Sequence, residues 1–424
     1  MRSRRYAALA VSVIATAFLA VGCTAGNTEG TGETPDSITL WSRGANEAIN
    51  QSLVDAWNAD HEMQVELLPV PDAEYAKKLA AAVAAGNPPD VATLDVVAIP
   101  EMIRGGILLD ITDRAQELEF FDELAQGYID QATSDGRIYA LPENVDASTL
   151  FWNKDLFEAA GLDPESPPTN FDEIREYAAA ITALGDENHG FYFSGQCPGC
   201  NAYTFSPLVW ASGGDYVNED GTEATLTSQG LQDALKLYQD LWENGDVQPD
   251  AKDDTGANWV SSFGTGKVGM IGLGAFAIAQ MEANFPDVNY GIAPLPGVDG
   301  GASSFTGGDV IAIPANAMNQ DAAWEFLEWT LSEEAQVEVY AKSGSLVARE
   351  SLVDNKYATD PNVQAENEAA LLGRTPTYYV NAGEIDAPTG PYNLAFQKII
   401  FEGADIESTL ESANQEFQRL LDQG

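Results

Sequence analysis

The sequence predicts an α/β protein built as more than one lobe, and three observations carry that prediction. The chain has 424 residues, 45% of them hydrophobic, which is enough for a large core. From Ser37 onward, short apolar runs alternate with helical periodicities. Proline and glycine clusters, above all Gly86-Asn87-Pro88-Pro89, punctuate those units.

Taken in order, Ile38–Trp41 reads as a strand. In residues 45–58, Ile49, Leu53 and Trp57 recur every fourth position, one face of a helix. Met63–Leu68 alternates as a second strand. Asp72 is expected to cap a helix carrying Tyr75, Leu79 and Val83, stopped by Pro88 and Pro89. Asp90–Leu94 is a third short strand. Strand, helix, strand, helix, strand implies a parallel sheet with right-handed crossovers. Ligands of such open sheets bind beyond the carboxyl ends of the strands. That singles out Trp41 and Arg43 after the first strand and Asp95 after the third. Arg43 has added weight because 20 Lys and Arg stand against 66 Asp and Glu.

The stretch Asp135–Asp155, DGRIYALPENVDASTLFWNKD, sits at the centre of the plan. After the Asp135-Gly136 turn, Ile138–Leu141 is an apolar run stopped by Pro142. A polar patch Glu143-Asn144-Val145-Asp146 follows, then a second run, Thr149–Trp152. Two readings stand: an ordinary strand, loop and strand, or a crossover whose turn presents Asn144 and Asp146 to a cleft.

Beyond it, Thr169 or Asn170 is expected to cap a helix with Phe171, Ile174, Tyr177 and Ile181 on its apolar face. Gly190–Ser194 reads as a strand. Tyr203–Gly214 is an aromatic segment, and Trp210 within it is as readily a core residue as a ligand contact. Leu226–Glu243 reads as a helix. Gly272-Leu273-Gly274 imitates a dinucleotide fingerprint weakly, and Gly266-Lys267 lacks the flanking residues of a phosphate loop. The glycines, Gly274 among them, instead allow close backbone approach, with Phe276 at the strand end.

The formal charge of −46 excludes a sequence-independent nucleic-acid binder, disfavours anionic lipid surfaces and weighs against anionic ligands. Arg2, Arg4 and Arg5 precede an apolar run, Tyr6–Val21, which is short against the about 20 residues of a membrane span. This makes residues 1–22 a secretory signal. Ala20-Val21-Gly22-Cys23 resembles a lipoprotein signal with Cys23 as the lipidated first residue; the alternative is a plain signal cut nearby. Residues 23–36 read as a flexible tether.

In an exported chain, Cys197 and Cys200 of Cys-Pro-Gly-Cys are expected to form a local disulfide. A redox pair belongs at the start of a helix after a strand, whereas Gly195, Pro198 and Gly199 predict a loop. With two histidines in the chain, no metal cluster is expected.

The chain resembles the extracellular solute-binding proteins of bacterial ABC importers, in the carbohydrate-binding, maltose-binding-protein-like group. The resemblance is carried by ITLW, AAGNPPDV, GGILLDIT, the Asp135–Asp155 stretch, PPTNFDEI, GKVGMIGLGAF, Phe305–Pro314 and AAWEFLEWTLSEEAQ, in that order. It implies a two-lobe periplasmic-binding-protein-like α/β fold with hinge crossovers and central sheets flanked by helices. Lobe 1 would be residues 37–145 and 302–347, and lobe 2 residues 146–301 and 348–424. By motif position, Asp146 falls at a cleft acid and Phe276 at a stacking aromatic. Tyr203 lies in a segment that faces ligand, Gly308 and Asp309 in a backbone-approach motif, and Tyr392 at another stacking position. The implied function is capture of a sugar between the lobes and its delivery to membrane permease subunits. The protein would be a monomer held by its lipid anchor to the outer face of the cytoplasmic membrane, with no cofactor. Receptors of this kind for polyols or glycerol phosphate esters are an alternative. A secreted glycosidase needs two carboxylates at a set separation, and among 66 acids such pairs carry no signal.

Overall fold

The computed structural model describes residues 35–185, 187–375 and 388–423, and residues from Pro35 onward form one unit. The expected signal 1–22, Cys23 and the tether up to residue 34 lie outside the described residues.

Strand β1 (Ser37–Arg43) buries Ile38 and Leu40, and α1 (Glu47–Asp60) turns Leu53, Val54 and Trp57 onto the same core. β2 (Gln64–Val70) runs parallel to β1 along its whole length. α2 (Asp72–Ala84) begins at Asp72 itself. Pro71 takes the capping position, so Asp72 is not the expected cap; proline's fixed φ suits a helix entry. β3 (Val91–Asp95), parallel to β1 on its other side, is buried from Val91 to Leu94. A continuous apolar run is what a strand covered on both faces requires.

Asp135–Asp155 departs from the expected strand, loop and strand. β4 (Leu141–Asn153) is a single extended strand through Pro142 and the polar patch, so Asn144 and Asp146 sit on a strand and not on a turn. Pro142 is tolerated because the ladder to β8 is irregular there: Glu143 and Asn144 of β4 face the single residue Asp309 between the pairs Val145–Gly308 and Pro142–Val310.

α3 (Phe171–Thr182) is capped by Asn170, whose side chain accepts the Glu173 N–H at 3.0 Å. β5 (His189–Tyr192) leads to α4 (Pro198–Ala211). The expected Cys loop is therefore the first turn of a helix. Proline at its first position costs no hydrogen bond, and Cys197 caps it. α5 (Gln229–Glu243), α6 (Trp259–Gly264), β6 (Val268–Gly274), α7 (Phe276–Asn284), β7 (Tyr290–Ala293) and β8 (Ala302–Ala312) follow. The chain continues through α8 (Gln320–Thr330), α9 (Pro361–Leu371), α10 (Pro391–Glu402) and α11 (Ile406–Leu421).

The strands join in the order β2-β1-β3-β8-β4-β6-β5, with β7 also on β4. Two hydrophobic cores flank this path. Val145 and Ala147 of β4 belong to the first, with β1–β3, α1, α2 and α8. Leu150, Phe151 and Trp152 belong to the second, with α3–α5, β6, α10 and α11. β4 thus passes from one core to the other within a few residues. Phe151 anchors its far end, stacked on Tyr290 at 5.4 Å with Phe263 edge-on at 6.1 Å. Phe151→Ala is expected to lower unfolding free energy by about 3–5 kcal/mol, read as a reduced midpoint in urea.

Candidate functional site

The site lies where β4 and β8 pass between the cores. Gly307 pairs with Asp146 and Gly308 with Val145. Tyr128, from the short helix Gln126–Gln131, locks that register: its hydroxyl donates to the Gly307 carbonyl and accepts the Asp146 N–H at 3.0 Å. Gly308 has φ +83°, and a Cβ there would lie 2.0 Å from the Asn144 carbonyl oxygen. Only glycine fits this approach.

Around this pairing is a cleft of about 380 Å³. Asp95 and Val97 line it from one side, and Asp146, Phe305, Gly307 and Gly308 line its floor. Pro198, Gly199, Ala202 and Tyr203 of α4, Trp259 of α6 and Phe276 of α7 complete it. Its four rings form one connected set. Tyr203 lies 5.5 Å from Phe305, 6.1 Å from Trp259 and 6.2 Å from Phe276, and Trp259 lies 5.4 Å from Phe276. Phe276 is 37% exposed, an unusual state for a phenyl ring at a helix start. A larger hollow of about 560 Å³ beside Gln126–Gln131 has no aromatic ring among its described lining residues.

Asp146 is the polar centre. Its Oδ2 accepts the Tyr203 hydroxyl at 2.8 Å, while Oδ1 is buried with no hydrogen-bond partner among the described residues. Burial pushes its carboxyl up to about 6, with the Tyr203 bond pulling the other way. Gly274 makes room for Tyr203, since a Cβ there would sit 2.2 Å from the phenol oxygen.

The structure brings five of the sequence-derived candidates to the cleft wall: Asp95, Asp146, Tyr203, Phe276 and Gly308. The others lie elsewhere. Arg43 binds Asp309 through Nε at 3.0 Å and through a second nitrogen, and Asp95 at 3.0 Å. It is thus spent on carboxylates of β8 and β3. Asp309 is fully buried and also accepts from Asn46 at 2.6 Å; burial raises its carboxyl against the pull of Arg43. Trp41 and Asn144 are half-buried and do not line the cleft. Trp210 is 7% exposed, stacked behind Phe305 at 5.8 Å, with the Arg374 guanidinium on its ring. Tyr392 is not a cleft aromatic: it packs in the second core against Tyr216 and Phe205. A helix hides one face of each aromatic it carries, and position in the sequence does not say which.

Trp259, Phe305, Val97, Pro198, Gly199 and Ala202 line the cleft without being expected as ligand contacts from the sequence. Phe305 opens the FTGGD motif, a usable signal. Trp259 had none, because its place depends on the indole N–H bond to the Gly272 carbonyl at 3.0 Å.

Residues 42–337 match the model of the bacterial extracellular solute-binding protein family, and the chain belongs to that family. Among its relatives is the diacetylchitobiose binding protein of Streptomyces coelicolor, 27% identical over 351 residues, covering 79% of this chain and 76% of that protein. Another is the sn-glycerol-3-phosphate-binding periplasmic protein of Pectobacterium atrosepticum, 26% identical over 322 residues, 70% of this chain and 69% of that protein. The fold is similar to that of the cyclic alpha-maltosyl-1,6-maltose binding protein from Arthrobacter globiformis, with a TM-score of 0.80 and 23% identity over 92% of this chain and 100% of that one. The architecture is the two-lobe periplasmic-binding-protein-like fold, and the protein is a solute-binding protein.

Glu143, three residues along β4 from Asp146 on the cleft wall, is fully buried and accepts from Tyr340 at 2.7 Å. Burial and the nearby Asp309 push its carboxyl up to about 8 from an ordinary 4.5. The folded state therefore holds this proton more tightly than the unfolded one. Its contribution is fully present below about 4.5 and is lost as pH rises toward 8. Glu143→Gln is expected to flatten that decline. Measured by urea unfolding across pH 5–8, the slope of stability against pH should fall by at most about one proton.

Proposed function

We propose that this solute-binding protein is the receptor of an ABC importer, taking a mono- or oligosaccharide into the cleft and delivering it to membrane permease subunits. The observation that carries the reading is one cleft in which four aromatic rings meet Asp146 and Asp95, with no lysine, arginine or histidine among its described lining residues. A sugar ring has an apolar C–H face and a rim of hydroxyls. Flat rings suit the face, and carboxylate oxygens suit the rim. Lobe 1 is taken as residues 37–145 and 302–347, and lobe 2 as 146–301 and 348–424. A ligand that touches both shifts the population toward closure. The chain acts by binding and not by catalysis, as a monomer anchored through lipidated Cys23.

A glycerol phosphate ester is less well matched. Its phosphate would meet two carboxylates, and Arg43 is already engaged by Asp95 and Asp309. Calorimetry of residues 24–424 against maltotriose, diacetylchitobiose and glycerol 3-phosphate is the direct test. Saccharide binding is expected near micromolar, about 8 kcal/mol; binding of the phosphate ester alone, or turnover of glycosides, would overturn the reading.

Asp146→Ala is expected to weaken saccharide binding about 10- to 100-fold, the worth of a charged hydrogen bond. Phe276→Ala should weaken it about 2- to 10-fold through lost stacking. Both should leave the thermal midpoint nearly unchanged. In the parent protein, affinity should rise as pH passes upward through about 6, where Asp146 becomes the ionised acceptor; Asp146→Ala should remove that rise. Cys23→Ser should abolish incorporation of radiolabelled palmitate and release the protein into the medium.

A further inference from the structure

The Cys-Pro-Gly-Cys pair is unexplained by sugar capture. Its sulfurs are joined in a disulfide, and the pair occupies the first turn of a 14-residue helix that follows strand β5. Cys197 is half-buried, while Cys200 is 8% exposed. The two cysteines are thus unequally exposed, with the more exposed one at the helix cap. The Cys200 backbone N–H points at Cys197 Sγ, 3.2 Å away. A thiolate at Cys197 would be held by that N–H and by the positive end of the helix. A four-residue ring also constrains the unfolded chain little, so stabilising the fold is a weak reason for the bond.

We infer that Cys197–Cys200 is a thiol-exchange site, reduced and reoxidised by an exported dithiol partner, and that its state sets the order of one wall of the cleft. A thiolate of the partner attacks Cys197 Sγ, the Cys197–Cys200 bond breaks, and Cys200 leaves as a thiolate that takes up a proton. The partner's second thiol then attacks the partner's own sulfur in the mixed disulfide. Cys197 leaves as the stabilised thiolate, and the partner closes its own disulfide. Two electrons pass to this chain, and the reverse sequence reoxidises it. A leaving thiol of lowered pKa departs faster, which favours the resolving step.

The coupling to the cleft is one of position. Pro198 and Gly199 lie between the two cysteines and line the cleft, and Ala202 and Tyr203 line it from the next turn. On the opposite side, Gly256 packs so closely that a Cβ would stand 2.9 Å from both sulfurs. The charged groups on that covering segment are Lys252, Asp253 and Asp254. Asp254 is occupied by the Tyr192 and Ser194 hydroxyls, at 3.0 and 2.6 Å. On the cleft side the titratable groups are Asp95, Asp146 and Tyr203.

The test uses residues 24–424, reduced with a phosphine and alkylated with iodoacetamide across pH 5–9, with each cysteine followed by mass spectrometry. Cys197 is expected to react with a midpoint at least about one unit below the 8.5 of free cysteine, and Cys200 at least about ten times more slowly. Cys200→Ser should trap a stable mixed disulfide with Ellman's reagent at Cys197. Hydrogen exchange should rise about tenfold or more in residues 200–204 on reduction, with the second core unchanged. A Cys197 midpoint near 8.5, equal reactivity of the two thiols or no reaction of either would overturn the exchange site. Unchanged exchange in residues 200–204 would overturn the coupling. Neither readout depends on the identity of the sugar.

Discussion

A strand that leaves one hydrophobic core for another must keep its backbone polar groups paired across the gap. β4 and β8 meet that requirement with each other, antiparallel, where neither core covers them from both sides. Tyr128 closes the arrangement by bonding to both strands at once. The cleft depends on this pairing. Asp146 projects from one strand, Gly308 thins the other, and Phe305 stands at the β8 end nearest the second core.

The same crossing gathers carboxylates where they are costly. Glu143, Asp309 and Glu366 are fully buried, and burial raises all three carboxyls, as it does that of Asp146. Arg43 balances Asp309 directly, and Thr149 donates to Glu366 at 2.5 Å. A buried charge is tolerable when paired or protonated. The crossing therefore carries both solutions, while Asp146 and Asp95 are the acids that reach the cleft wall. That favours ligands that donate hydrogen bonds and carry no negative charge.

Much of the fold was legible because periodicity reports burial. Ile49, Leu53 and Trp57 mark a helix face, and Val91–Leu94 marks a strand covered on both sides. A cap at Thr169 or Asn170 was readable from side-chain chemistry, and the structure places it at Asn170. The misreadings share a cause. Pro142 looked like a stop, and Pro198-Gly199 looked like a loop, because each breaks structure locally. An extra residue in β4 beside it accommodates the first, and a helix entry accommodates the second.

By itself the sequence determined the alternation of strands and helices, the shortage of cations, and the acids and aromatics available to a cleft. Those are properties of composition and spacing. Only the tertiary structure decided which of them meet. It put Tyr203, Phe276, Phe305 and Trp259 around Asp146 and sent Tyr392 and Trp210 into packing. It also set Arg43 against Asp309 across 266 residues. Such choices follow from long-range register and from the face each helix turns inward, and neither is written in local pattern.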